Sequence, residues 1–96
     1  MKHIEHIGIA VKDFSVSVPL FEKLLNTNCY KKETVESENV NTAFLKTGET
    51  KIELLESTTT DGVIAKFIDR KGEGIHHIAF EVEDIFAEME RLKNEG

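Results

Sequence analysis

The sequence predicts an α+β fold of paired βαβββ modules, with the second module incomplete in this chain. Three observations carry that expectation. Several short segments alternate along the chain with period two and are rich in β-branched residues, as half-buried strands are. Between them lie segments whose apolar residues recur at helical spacing. The chain also repeats itself. At an offset of 71 residues, Ile4 aligns with Ile75, His6 with His77, Ile7 with Ile78, Val11 with Val82 and Asp13 with Asp84. Matching valines and isoleucines carry little weight. A paired histidine followed by a paired helix cap, in the same order, marks two copies of one module.

The elements follow in order. Residues 2–11 place Ile4, His6, Gly8 and Ala10 on one face of a strand and Glu5, Ile7, Ile9 and Val11 on the other. Asp13 can cap a helix that carries Phe14, Val18, Phe21, Leu24 and Leu25 inward. Pro19 is awkward there, because deep in a helix proline removes a hydrogen bond and crowds the preceding turn. A start at Ser17 would put Pro19 in the first turn, where it is tolerated, and both starts remain open. Residues 29–35, 40–46 and 50–56 read as three strands, separated by the turns Ser37-Glu38-Asn39 and Thr47-Gly48-Glu49. Short connections make them an antiparallel meander.

Residues 57–61 form a polar linker, and Asp61 or a nearby threonine can cap a helix over residues 62–70. Val63, Ile64, Phe67 and Ile68 supply its apolar stripe. Gly48 and Gly74 read as turn residues. Residues 75–82 alternate again, Asp84 caps a helix over residues 85–94, and Gly96 suits a C-terminal cap. The chain is thus expected to be one domain over residues 1–96. Residues 1–57 are its first module, 58–73 a linker helix and 74–96 the start of the second module.

Composition narrows the function classes. At 96 residues, 40% apolar and 31% charged, the chain has the balance of a small globular domain. No apolar run reaches membrane length, and residues 1–5 contain no secretory signal. The single cysteine, Cys29, excludes an internal disulfide framework and makes a reducing cytoplasm the expected compartment. It reads as a small buried apolar side chain. A net charge of −6 argues against nucleic acid as a partner.

The chemistry centres on His6, Glu53 and His77. The two histidines hold equivalent strand positions, so modules packed as pseudo-symmetric halves would turn both imidazoles to one concave surface. Glu53 shares a face with Lys51 and Leu55, while Ile52 and Leu54 face a helix from the other side. A mid-strand carboxylate away from the solvated ends needs a partner or a metal. Two neutral imidazoles and a carboxylate suit a divalent first-row ion. Taken singly, each residue has a plain structural explanation, and the repeat is what joins them. His3 and His76 fall beside or opposite the ligand face, and Glu5, Glu81 and Glu83 read as ordinary outward strand residues.

At these residues the chain resembles the vicinal oxygen chelate (glyoxalase/bleomycin resistance/dioxygenase) superfamily, and within it most closely the methylmalonyl-CoA epimerase branch. The matching stretches are residues 6–11, 50–56 and 74–82, together with Ile64-Ala65-Lys66-Phe67. The double histidine His76-His77 after a helix with Lys66-Phe67 points to the epimerase branch, whereas the first strand would fit almost any superfamily member.

The resemblance implies two βαβββ modules around one divalent metal ion (cobalt, nickel, manganese or zinc) held by His6, Glu53 and His77. A fourth ligand, a glutamate, belongs to a last strand beyond Gly96. It implies a metal-dependent epimerase that moves a proton alpha to a thioester through a metal-stabilised enolate, acting as a homodimer on a small-molecule substrate. Some epimerases carry a proton-transferring glutamate on the third strand, and Thr42 occupies that position here. No catalytic base is assigned.

Lactoylglutathione lyase (glyoxalase I), which isomerises a glutathione hemithioacetal, shares the ligand pattern. Val16 stands where its glutathione-anchoring arginine is expected. A non-catalytic small-molecule-binding protein of the same fold is a further alternative, but such proteins generally lack the metal ligands. A second meander would need about 30–40 more residues by ordinary strand and loop lengths. The natural protein is therefore expected to be longer, which puts the activity of the 96-residue chain alone in question.

Overall fold

The structure, a computed structural model, describes residues 3–81 and 84–95. Its elements are β1 (His3–Ala10), α1 (Phe14–Leu25), β2 (Lys31–Val35), β3 (Val40–Thr47), β4 (Thr50–Ser57), α2 (Val63–Lys71), β5 (Gly74–Glu81) and α3 (Ile85–Glu95). One five-stranded sheet has the order β2-β3-β4-β1-β5. The β2–β3–β4 meander is antiparallel, β1 joins β4 in parallel, and β5 joins β1 antiparallel. This is the βαβββ arrangement followed by the opening strand and helix of a second module.

The two faces of the sheet are packed differently. Ala43 and Leu45 of β3 and Ile52 and Leu54 of β4 bury against α1, together with Val11 and Val18. Phe14, Phe21 and Leu25 pack on the same cluster. On the opposite face Ala10, Val40 and Leu55 meet Ile64 of α2, flanked by Phe67 and Ile68. Because alternation is strict in β4, Glu53 lies on the α2 side while both its neighbours face α1. Past α2 that face is open, and the candidate site lies there. Ile75, Ile78 and Phe80 of β5 and Ile85, Phe86, Met89 and Leu92 of α3 are exposed.

The helix starts decide between the two open for α1 and correct the one expected for α2. α1 begins at Phe14 with Asp13 as its cap, the carboxylate accepting from the Ser15 amide at 2.9 Å. Pro19 therefore stands inside the helix and supplies no amide to the Ser15 carbonyl four residues before it. Both residues are exposed, so water can satisfy that carbonyl. Leu24 points to solvent instead of the core, and Ser17 is buried. α2 is capped by neither Asp61 nor a threonine side chain. Gly62 is its N-cap, and no side chain bonds there. A Cβ on Gly62 would lie 2.8 Å from Ser57 Oγ, whose hydroxyl instead donates to the Thr59 carbonyl.

Gly74 is the first residue of β5 and not a turn residue. Gly48, at φ 60°, does occupy the β3–β4 hairpin turn, and Asn39, at φ 54°, ends the short 3₁₀ turn Glu36–Glu38 before β3. Cys29 is only partly buried, against the α1 cluster. Asp84 caps α3 as expected, accepting from the amides of Phe86 and Ala87. Val82, Glu83 and the proposed cap Gly96 lie outside the described residues.

The Asp13 cap makes a testable statement about pH. The Ser15 hydroxyl, and then its amide, hold the Asp13 carboxyl below the usual aspartate range. A depressed pKa stabilises the fold above the unfolded-state value, and that contribution is lost as pH falls through the folded value. Asp13→Ala is therefore expected to lower the thermal midpoint at neutral pH and to converge with the parent in strong acid. Melting curves across the acid range check this.

Candidate metal centre

His6 on β1, Glu53 on β4 and His77 on β5 sit on three adjacent strands of the open face. Their ligand atoms all lie within 4.8 Å of one another. His6 Nε2 is 3.0 Å from His77 Nε2, and Glu53 Oε1 is 3.3 Å from His77 Nε2 and 3.8 Å from His6 Nε2. Adjacent ligands held about 2.0–2.2 Å from a first-row ion stand about 3 Å apart or slightly more. The donor set and its spacing therefore fit such an ion. Glu53 is mostly buried, its side chain 16% exposed, so the carboxylate is held away from bulk water beside the two rings.

Strand pairing explains the geometry. Gly8 lies opposite His77 in the β1–β5 ladder. A Cβ on Gly8 would be 2.2 Å from His77 Cε1 and 2.6 Å from both ring nitrogens. The imidazole of His77 thus lies over the bare backbone of β1, which lets it reach His6 and Glu53. Sequence reading placed Gly8 on the His6 face but gave it no role.

Two further residues were missed. Glu5 is not an ordinary outward residue, since its Oε1 lies 2.8 Å from His6 Nδ1 and its Oε2 3.2 Å from Lys51 Nζ. The contact with His6 and then that with Lys51 hold the Glu5 carboxyl below the usual glutamate range, against the effect of burial. His76 is not opposite the site either. Its Nδ1 is 3.0 Å from His77 Nδ1, and its ring meets Phe67 edge-on at 5.0 Å. Burial, with His77 beside it, pushes the His76 imidazole below its ordinary value, although Glu53 opposes this. His3 stays apart, paired with Glu81 at 3.0 Å.

A cleft of about 560 Å³ runs from the site toward the start of α2. Glu53, His76 and His77 line one end, Thr42 and Leu55 its floor, and Asp61 to Ile64 the far end. Thr42 is buried, and its hydroxyl makes a long 3.5 Å contact to the Glu33 carbonyl. No helix among the described residues is long and apolar enough to cross a membrane.

A sheet of this topology with two histidines and a glutamate converging on its open face defines a class, and sequence comparison agrees. Residues 5–96 match the Glyoxalase/Bleomycin resistance protein/Dioxygenase superfamily, and the chain belongs to it. Within that superfamily it is homologous to methylmalonyl-CoA epimerases. It is 34% identical over 94 residues to the ethylmalonyl-CoA/methylmalonyl-CoA epimerase of Cereibacter sphaeroides, covering 97% of this chain and 70% of that protein. A Streptomyces coelicolor methylmalonyl-CoA epimerase variant in complex with 2-nitronate-propionyl-CoA superposes with a TM-score of 0.82 at 31% identity, over 100% of this chain and 71% of the other. A hypothetical protein from Bacillus halodurans C-125 superposes at 0.84 with 42% identity, over 97% and 67%.

Proposed function

We propose that this chain is the metal-binding part of a methylmalonyl-CoA-type epimerase, which moves a proton at the carbon alpha to a CoA thioester. One observation carries the reading: His6, Glu53 and His77 converge at 3.0–3.8 Å in a chain homologous to such epimerases along nearly its whole length. His6, Glu53 and His77 would hold one divalent ion of the cobalt, nickel, manganese or zinc group. When bound, the ion would supply Lewis-acid stabilisation of the negative charge that develops on the thioester oxygen.

The chain's own residues do the rest. Glu53 and His77 line the cleft as well as the centre, so a substrate entering the cleft would come beside the ion they would hold. Leu55, Val40 and Ile64 give the cleft an apolar surface against which an acyl group would pack. Thr42 offers a hydroxyl and no carboxylate, so it can orient a substrate oxygen but is not the base. The chain would form a single glyoxalase-like domain (modules 1–57 and 74–96 joined by linker helix 58–73) and act as a homodimer in the cytoplasm.

The test is solvent deuterium exchange into methylmalonyl-CoA, followed by NMR with metal-loaded protein. Incorporation at the alpha carbon that is lost on chelation and restored by the ion is the expected result. Turnover of only the methylglyoxal–glutathione hemithioacetal overturns the epimerase reading in favour of a glyoxalase. Absence of both metal and turnover favours a binding protein.

A further inference from the structure

We infer that Glu5 and His76 are the positioning residues of this metal centre. Each occupies a bulged strand position one residue before a histidine ligand and engages that ligand's Nδ1, which aims its Nε2 at the ion. The inference rests on the metal-dependent reading above.

The β1–β5 ladder breaks its register twice. Between the pairs Ile4↔Phe80 and His6↔Ala79, β1 advances two residues and β5 one, so Glu5 is the extra residue. Between Gly8↔His77 and Ile9↔Ile75, β5 advances two residues and β1 one, so His76 is the extra residue. A bulge of this kind disrupts strict alternation and re-aims a side chain. In a regular strand Glu5 would face away from His6, and His76 away from His77. Here both neighbours come onto the ligand side, with Glu5 Oε1 2.8 Å from His6 Nδ1 and His76 Nδ1 3.0 Å from His77 Nδ1.

The two bulges are related by the internal repeat, since Glu5 and His76 share the 71-residue offset of the ligands themselves. Each positioning side chain is held in turn from another element. Lys51 of β4 reaches Glu5 at 3.2 Å, and Phe67 of α2 meets the His76 ring edge-on. The chemical consequence lies in the tautomers. A carboxylate beside His6 Nδ1 fixes the proton there, and His76 Nδ1 can accept the corresponding proton of His77. With an ion bound, both Nε2 lone pairs and Glu53 Oε1 would then face it with no proton between them.

The experiment compares Glu5→Ala and His76→Ala with the acceptor-retaining Glu5→Gln and His76→Asn. Zinc affinity is measured by chelator competition, and imidazole ¹H–¹⁵N spectra are recorded with and without zinc. Each alanine variant is expected to bind zinc roughly 10–100-fold more weakly, with an unchanged metal-free melting temperature. The Nδ1–H signal of His6 or His77, respectively, should be lost, and the amide variants should recover much of the affinity. Alanine variants that bind like the parent with both Nδ1–H signals intact overturn the inference. If the parent binds no zinc, the metal-dependent reading fails, and the metal-free spectra still decide the positioning. Nδ1–H signals lost only on alanine substitution uphold it, and signals indifferent to substitution overturn it.

Discussion

Gly8→Ala is expected to weaken divalent-ion binding roughly a hundredfold while leaving the metal-free protein nearly as stable as the parent. The new Cβ would lie 2.2 Å from His77 Cε1, far inside contact distance. The sheet backbone cannot move that far without breaking two ladders, whereas the His77 ring can rotate away. Rotation removes one of three protein donors. If binding of a zinc-like ion by four ligands is worth about 10–16 kcal/mol, one ligand accounts for about 3 kcal/mol, consistent with the expected loss. Isothermal titration and thermal melting of the same samples separate the two effects. Parent-like affinity in the alanine variant would show that His77 does not need the space above Gly8.

The second large effect falls on the other side of the same sheet. Leu54 is fully buried in the cluster formed with Leu45, Ile52, Val18 and Val11. Leu54→Ala leaves a cavity between β4 and α1, at an expected cost of about 3–5 kcal/mol. That is a large share of the total stability of a small domain. Urea denaturation should show a lower midpoint with an unchanged slope. A loss under about 1 kcal/mol would mean that α1 closes over the gap, outside the usual range for such truncations. Gly8 and Leu54 thus divide the sheet by face: one substitution is expected to weaken ion binding at little cost in stability, and the other to destabilise the fold.

The same division governs how much was legible in the sequence. Period-two alternation assigns Ile52 and Leu54 to one face and Glu53 to the other, and the structure agrees because β4 is a regular strand. The repeat brought His6 and His77 together without any local motif, and Glu53 joined them through its place in the meander. What stayed illegible depends on departures from regularity. Glu5 and His76 read as outward or opposed residues because a bulge carries no reliable composition signal, and both sit on one. Gly8 showed its face but not its purpose, since a missing side chain matters only once the ring opposite is known. The cap of α2 was misassigned for a related reason. Asp61 has the better capping chemistry, but crowding by Ser57 and Thr59 selects the residue with no side chain.

β1 lies between β4 and β5, and neither neighbour is adjacent to it in the chain. An ion held by His6, Glu53 and His77 would tie these three strands together and cross-link segments up to 71 residues apart. Because the donors converge only in the folded chain, the ion would favour that state by mass action, by about 2.7 kcal/mol at a hundredfold excess over its dissociation constant. The centre would then act as a staple across the sheet, and the availability of metal would set the persistence of the fold as well as its chemistry.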